Sequence, residues 1–378
     1  MSRTYVTALR IALVAVAVGL AIWFVNWRTI AVVPAGESPF GKTSSQEEMT
    51  YVITDAVELG SGLLHVTTTD GQEGTLKSTW VRPGMFQVLT EADWWWILIG
   101  LGLMGFVYPL QTTRWWLLMR CRQLQVSWLQ TFRLVFIGAF SNFCLPGTEG
   151  GDIIKAWSVA KGTGRHVEAV MSVVFDRITG LGGLVVLAAV VGIFVAESPQ
   201  SQLIGWWAGV AMVSIGLIAI VLFIFTERGW LRMPEVVNRF GSGLPGRVAS
   251  AAKAYAAHPA SVACGTGISI IVQTLLASAA GCCAWALGAR HELIVILAAM
   301  PVIFLAGAIP LFIQGAGIME LLAISLLAVP DIATVNQAVA IMVLYRLLEF
   351  AWGLIGVPLL IGSGISLKQP PEGISDPI

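Results

Sequence analysis

Charge is what this chain has least of. Asp, Glu, Lys and Arg make up 12% of its 378 residues and cancel to a formal net charge of zero. That balance excludes nucleic acid as a partner, because such a partner calls for a basic face. Histidine is nearly absent too: there are four, none paired at helical spacing, so no His-based metal centre is expected. The five cysteines (Cys121, Cys144, Cys264, Cys282, Cys283) lie in or beside apolar segments, without metal-ligand spacing or an extracytoplasmic pair, and read as small membrane-buried hydrophobes. There is no nucleophile motif and no nucleotide-binding loop. The expectation is therefore a protein without metal or cofactor and without catalytic residues.

What fills the space is apolar. Hydrophobic residues reach 56% of the chain and the mean hydropathy is +0.80. A soluble fold of this length cannot hide that much apolar surface, so the fold class is an all-α polytopic membrane protein. Residues 1–25 read as a first span with Arg3 and Arg10 before it, uncleaved and with its N-terminus inside; a signal peptide is the alternative. Residues 26–93 carry four basic against nine acidic residues and belong outside. Tyr51–Thr54, Gly62–Thr68 and Gly74–Met85 have strand-like content between Gly-Ser and Asp-Gly turn signals, which predicts a small β-rich extracytoplasmic insert.

The membrane domain is expected over residues 94–363, followed by a cytoplasmic tail at 364–378. Trp94–Leu110 is a span entered through three consecutive tryptophans. Arg114–Leu124 mixes arginines with Trp115, Trp116 and Leu117 and reads as a cytoplasmic, interfacial amphipathic helix. Leu134–Phe143 is too short to cross, since crossing takes about 20 helical residues. It runs into Ser141–Trp157, SNFCLPGTEGGDIIKAW, where Pro146, Gly147, Gly150 and Gly151 break the helix and Glu149, Asp152 and Lys155 arrive at once. With basic residues on both flanks, the segment reads as a re-entrant hairpin; a cytoplasmic loop is the alternative. Irregular backbone at membrane depth survives only when buried in protein or lining a cavity.

Val167–Val195 is a strong span, yet it carries Asp176 and Arg177 about ten residues, or roughly 15 Å, from its start. Each such charge costs roughly 2.5 to 3.5 kcal/mol on insertion scales, so it demands a partner or a function. Leu203–Phe225 and Ala260–Leu287 follow as spans. Leu293–Val329 is broken again, at Pro310 and at Gly315 and Gly317, with Glu320 its one charge. Ala338–Ile361 then bears Arg346 and Glu349.

The halves align. LPGTEGGDIIKAW lies over IPLFIQGAGIMELL, and AVMSVVFDRITGLGGLVV over AVAIMVLYRLLEFAWGLI, with Arg177 over Arg346. The charge map gives the copies (about 94–195 and 260–363) opposite orientation. An inverted repeat with about six full spans and two re-entrant hairpins is an architecture found in many secondary transporters.

On NFCLPGTEGGDIIKAW, SVVFDRITGLGGL, the Pro310–Glu320 segment and YRLLEFAWGL, the chain resembles flippase-like membrane proteins related to the transmembrane domain of lysylphosphatidylglycerol synthase. The resemblance runs from Trp94 to Gly362 and implies an integral membrane protein that handles or translocates lipid; the expected location is the inner membrane. In some members this domain precedes a soluble aminoacyl transferase; none is expected here. Ile318 and Met319 precede Glu320 where a basic residue is common, so Glu320 lacks that neighbour in its own hairpin.

Arg177 and Arg346 are the foremost candidates for binding a lipid phosphate, because arginine's fork of donors suits phosphate and stays charged when partly buried. The competing role is structural pairing with Asp176 or Glu349. Lys155 and the glycines Gly147, Gly150, Gly151, Gly315 and Gly317 are further candidates around the headgroup, against a packing role. Asp152, Glu149 and Glu320 are either ion-coupling carboxylates or simple complements to a helix dipole. Gly182 and Gly183 read as packing residues. The expected function is movement of an anionic, phosphate-bearing lipid or lipid-linked precursor between leaflets. The alternative is a non-transporting partner of an envelope enzyme, recruited through residues 26–93.

Overall fold

The computed structural model describes residues 19–363 apart from 195–253 and short stretches at 21–22, 36, 38–39, 41–48, 61–62, 145–149, 256, 290–291, 309–314 and 330–331. Most of the expected first span (residues 1–18 and 21–22), the span Leu203–Phe225, the cytoplasmic tail and the residues Pro146, Gly147, Glu149 and Pro310 lie outside the described residues. Among the described residues, four helical segments are long and apolar enough to cross a membrane: Trp94–Cys121, His166–Val191, Pro259–Ala286 and Val335–Gly362. The chain divides into two compact units.

The first unit comprises residues up to Gly100, Ala280–Glu292 and Ala316–Arg346. Its sheet has strands β1 (Ile30–Val33), β2 (Met49–Gly60), β3 (Leu63–Thr68), β4 (Glu73–Lys77) and β5 (Val81–Arg82). Their order is β4-β3-β2-β1-β5, and every pairing is antiparallel. The period of two is visible in β1, where Ala31 and Val33 point inward to join Ile53, Val66 and Leu76 in a small core. Asp70-Gly71 makes the β3–β4 turn, as its composition predicts. Two expectations shift here. Met85 is not the end of a strand but the first residue of the short helix α1 (Met85–Thr90), and β1 has too few residues to announce itself by pattern.

The same unit holds the start of α2 (Trp94–Cys121), the end of α6 (Pro259–Ala286) and the start of α9 (Val335–Gly353). The Asp93 N–H donates to the Ala286 carbonyl at 2.8 Å, and Trp96 meets Trp285 edge-on at 4.7 Å. Gln337 donates to the Leu287 carbonyl at 2.8 Å. Asn336, 2% exposed, accepts from the Asn26 N–H at 2.9 Å and donates to the carbonyls of Asn26 and Pro83 at 2.7 and 2.8 Å. These bonds gather three helix ends beside the sheet. The helix α8 (Ile318–Leu327) belongs to this unit as well.

The second unit comprises Leu101–Ala279, Leu293–Gly315 and the chain from Leu347. Here α2 continues unbroken through Pro109 to Cys121. The expected amphipathic helix at Arg114–Leu124 is therefore corrected: its residues up to Cys121 are the last turns of the span, with Trp115, Leu118 and Met119 fully buried. Next come α3 (Trp128–Cys144), α4 (Gly150–Thr163), α5 (His166–Phe194), the first part of α6, α7 (Leu293–Gly307) and α10 (Gly356–Ser363). Arg165, just before α5, donates to the carbonyls of Arg122 and Gln123 at 3.1 and 3.3 Å, so α5 starts where α2 ends. Helices α3 and α4, with 17 and 14 residues, measure roughly 26 and 21 Å, short of the roughly 30 Å of bilayer hydrocarbon. They pack on each other and open toward that same end. Gly151 is required at their crossing, because a Cβ there would run into the Gly138 carbonyl oxygen. The Asn142 Oδ1 accepts from the Gly151 N–H at 2.8 Å and so satisfies one donor of the restarting helix.

Candidate functional site

Both broken segments place a carboxylate at the same point of the helix that restarts. Asp152 is the third residue of α4, which begins at Gly150, and Glu320 is the third residue of α8, which begins at Ile318. At that position a carboxylate faces the free N–H groups of the first turn. Glu320 uses this directly, accepting from the Gly317 N–H at 2.7 Å. Gly317 stands at φ 88°, a conformation that disfavours side chains.

Both carboxylates then meet an arginine at a matching point of a later helix. Arg177 comes eleven residues after His166, the start of α5, and Arg346 eleven after Val335, the start of α9. At 1.5 Å per residue that is roughly 16 Å along each helix. In the second unit, Arg177 donates through Nε to Asp152, whose other oxygen lies 2.6 Å from the Lys155 ammonium. In the first unit, Arg346 Nε lies 3.0 Å from Glu320.

The two clusters differ in charge and in exposure. Asp152, Lys155 and Arg177 sum to +1, whereas Glu320 and Arg346 sum to zero. At the position matching Lys155, three residues after the carboxylate, α8 has the fully buried Ala323. The Arg177 side chain is 48% exposed and that of Arg346 18%, while both carboxylates are 10% exposed. Lys155 is held by more than Asp152: its ammonium lies 5.2 Å from the centre of the Trp115 ring, and its stem packs where a side chain at Gly138 would otherwise stand.

Asp176 does not pair with its neighbour Arg177. Successive residues point to different faces of a helix, and Asp176 accepts a bidentate pair of bonds from Arg114 on α2 at 2.7 and 3.1 Å. Arg114 also donates to Ser269 on α6 at 3.1 Å. Both charged side chains are under 10% exposed. This is a buried lock between α2, α5 and α6, and removing one partner of such a pair costs roughly 3 to 5 kcal/mol. The expectation that Arg114 belongs to a separate interfacial helix is corrected accordingly. Its only signal in the sequence is an acidic residue in a distant apolar span, which needs a countercharge from somewhere.

The remaining candidates fall as follows. Glu349 sits one turn beyond Arg346 on α9, and Arg346 lies against Glu320. Gly150 is buried at the start of α4 and Gly315 turns the chain ahead of α8 at φ 66°. Gly183 packs hard against Ser269, but a side chain at Gly182 would meet nothing within 4 Å, so the packing role expected of Gly182 is not seen. The basic neighbour missing from Glu320's own segment is supplied across space by Arg346.

The family described as the lysylphosphatidylglycerol synthase TM region matches residues 84–356. No curated protein matches the chain. The chain belongs to that family: it is a polytopic membrane protein, and among the described residues its β-strands all precede the matched region.

Proposed function

We propose that this protein is a flippase-like transporter that carries an anionic, phosphate-bearing lipid or lipid-linked precursor between the leaflets of a cell's inner membrane, with its N-terminus cytoplasmic. The observation that carries the reading is the Asp152–Lys155–Arg177 cluster. It has one net positive charge, sits at a broken helix, and exposes nearly half of Arg177. A phosphodiester bears one negative charge, so it neutralises the cluster. The Arg177 side chain is half exposed, so a phosphate can reach it and compete for its donors, and charge-assisted bonds of this kind are roughly twice as strong as neutral ones. Asp152 keeps the site from becoming a trap: it competes for the same donors and takes them back when the lipid leaves.

The paired geometry suits alternating exposure. The short α3–α4 pair opens at the end where α2 stops, which fits a re-entrant hairpin. For the second hairpin, entry from the opposite face rests on the charge map of the sequence. On this reading the two arginines serve the headgroup in turn, with Arg177 the main binding group and Arg346 the weaker one. Family membership supports handling of lipid in general; the choice of a phosphate-bearing anion rests on the arginines and Lys155.

The test is transport. The purified chain is reconstituted into phosphatidylcholine vesicles containing fluorescent phosphatidylglycerol, and its movement is followed by dithionite quenching. Wild type should move the probe and Arg177→Gln should not. Equal rates in the two would refute the reading, and failure of wild type with every anionic lipid tried would favour the partner role for residues 26–93.

A further inference from the structure

A cavity of about 470 Å³ lies at the open end of the α3–α4 pair, walled by Gln130, Arg133, Leu134 and Ile137 of α3, Ser158 of α4 and Leu359 of α10, among others. Its size is that of small-ligand sites. Several of its polar groups have donors to spare. Arg133 is exposed and, among the described residues, makes no ion pair or hydrogen bond. The Ser158 hydroxyl is buried without a partner, although such groups are ordinarily satisfied. Gln130 uses its carbonyl oxygen to close a capping box with Ser127, at 3.1 Å, which leaves its amide N–H groups as donors. Arg133 and Gln130 bring a guanidinium and an amide to this space beside aliphatic walls, and Ser158, whose hydroxyl is buried, is part of its wall.

The cavity is also in line with the charged cluster. Ser158 follows Lys155 by three residues and therefore shares its face of α4. From Asp152 to Ser158 the helix rises roughly 9 Å. Trp157 and Lys161 make a cation–π contact at 5.1 Å close by, and Trp116 and Arg120 another at 4.6 Å, a pairing suited to the headgroup layer.

We infer that this cavity is a second phosphate site, a docking point where Arg133 and Gln130 hold a phosphate group at the membrane surface before it passes along the α3–α4 seam to Lys155 and Arg177. The tails of a lipid so held lie outside the cavity, against the apolar walls. The handover rests on the proposed transport; the docking site does not.

The experiment places a reporter in the cavity wall. Gly162, which lines it and has nothing within 4 Å of an added Cβ, is changed to cysteine in the full chain. Its alkylation by a maleimide is followed by mass spectrometry of the peptide that carries it. Phosphatidylglycerol in phosphatidylcholine vesicles should slow alkylation about tenfold, an effect equal to roughly 1.4 kcal/mol. Slowing by phosphatidylglycerol alone assigns a lipid headgroup; slowing by inorganic phosphate in pure phosphatidylcholine assigns a free anion site; slowing by neither overturns the inference. Arg133→Gln should abolish the protection and Arg133→Lys should restore most of it. Arg177→Gln should leave it intact even while transport is lost, which separates the two sites. Protection that survives Arg133→Gln would also overturn the inference.

Discussion

The two broken segments start from one plan and end with different chemistry. In each, a carboxylate sits third in a restarting helix and an arginine eleven residues into a later helix answers it. One adds Lys155 and leaves Arg177 half exposed; the other has Ala323 in that place and covers Arg346. The shared part is what a broken helix in an apolar layer needs in any case, a capped N-terminus and a neutralised charge. The unshared part, one extra cation and a half-exposed arginine, is what structure alone does not require. Function should follow the difference and stability the likeness.

The strongest way to break this comparison is to remove the arginines one at a time. Arg177→Gln should cut the transport rate about a hundredfold, the loss of two charge-assisted bonds of roughly 1.4 kcal/mol each, and Arg346→Gln about tenfold or less. Equal losses in reconstituted vesicles would mean that the two clusters are interchangeable. Lys155→Gln makes the first cluster neutral like the second, and should weaken binding of an anionic lipid about tenfold while leaving Arg177 with Asp152. A lipid titration by native mass spectrometry reads that change.

Stability should respond in the other order. Arg114→Leu leaves Asp176 buried without its partner and should cost roughly 3 to 5 kcal/mol, whereas the double change with Asp176→Leu should recover much of it. Thermal unfolding in detergent distinguishes these, and a double variant no better than the single one would remove the lock from the account. Smaller again is Gly151→Ala, which forces α3 and α4 apart at Gly138 and should cost about 1 to 3 kcal/mol. Gly182→Ala, beside open space, should cost well under about 1 kcal/mol.

Much of this plan can be seen in the residues themselves. Gly150 and Gly151, and later Gly315 and Gly317, break two apolar runs, and Arg177 and Arg346 stand out because charge is so scarce around them. The strands β2, β3 and β4 follow from alternation and turn residues. What a linear reading misses is partnership. Asp176 and Arg177 are neighbours in the chain, and nothing local says that one turns to Arg114 and the other to Asp152. Arg114 itself falls outside a span drawn by hydropathy, because the window ends where arginines begin, while the helix continues since its charge is met by a residue 62 positions away. Gly182 and Gly183 look alike in sequence, and only packing against Ser269 separates them.

The most direct measurement is of the lipids that co-purify with wild type, Arg177→Gln and Arg346→Gln, by mass spectrometry from the same membranes. The account predicts a particular anionic lipid enriched with wild type, lost with Arg177→Gln and largely kept with Arg346→Gln. Equal enrichment with a folded Arg177→Gln would show that its arginine is structural, and would contradict the claim that the first cluster carries the function.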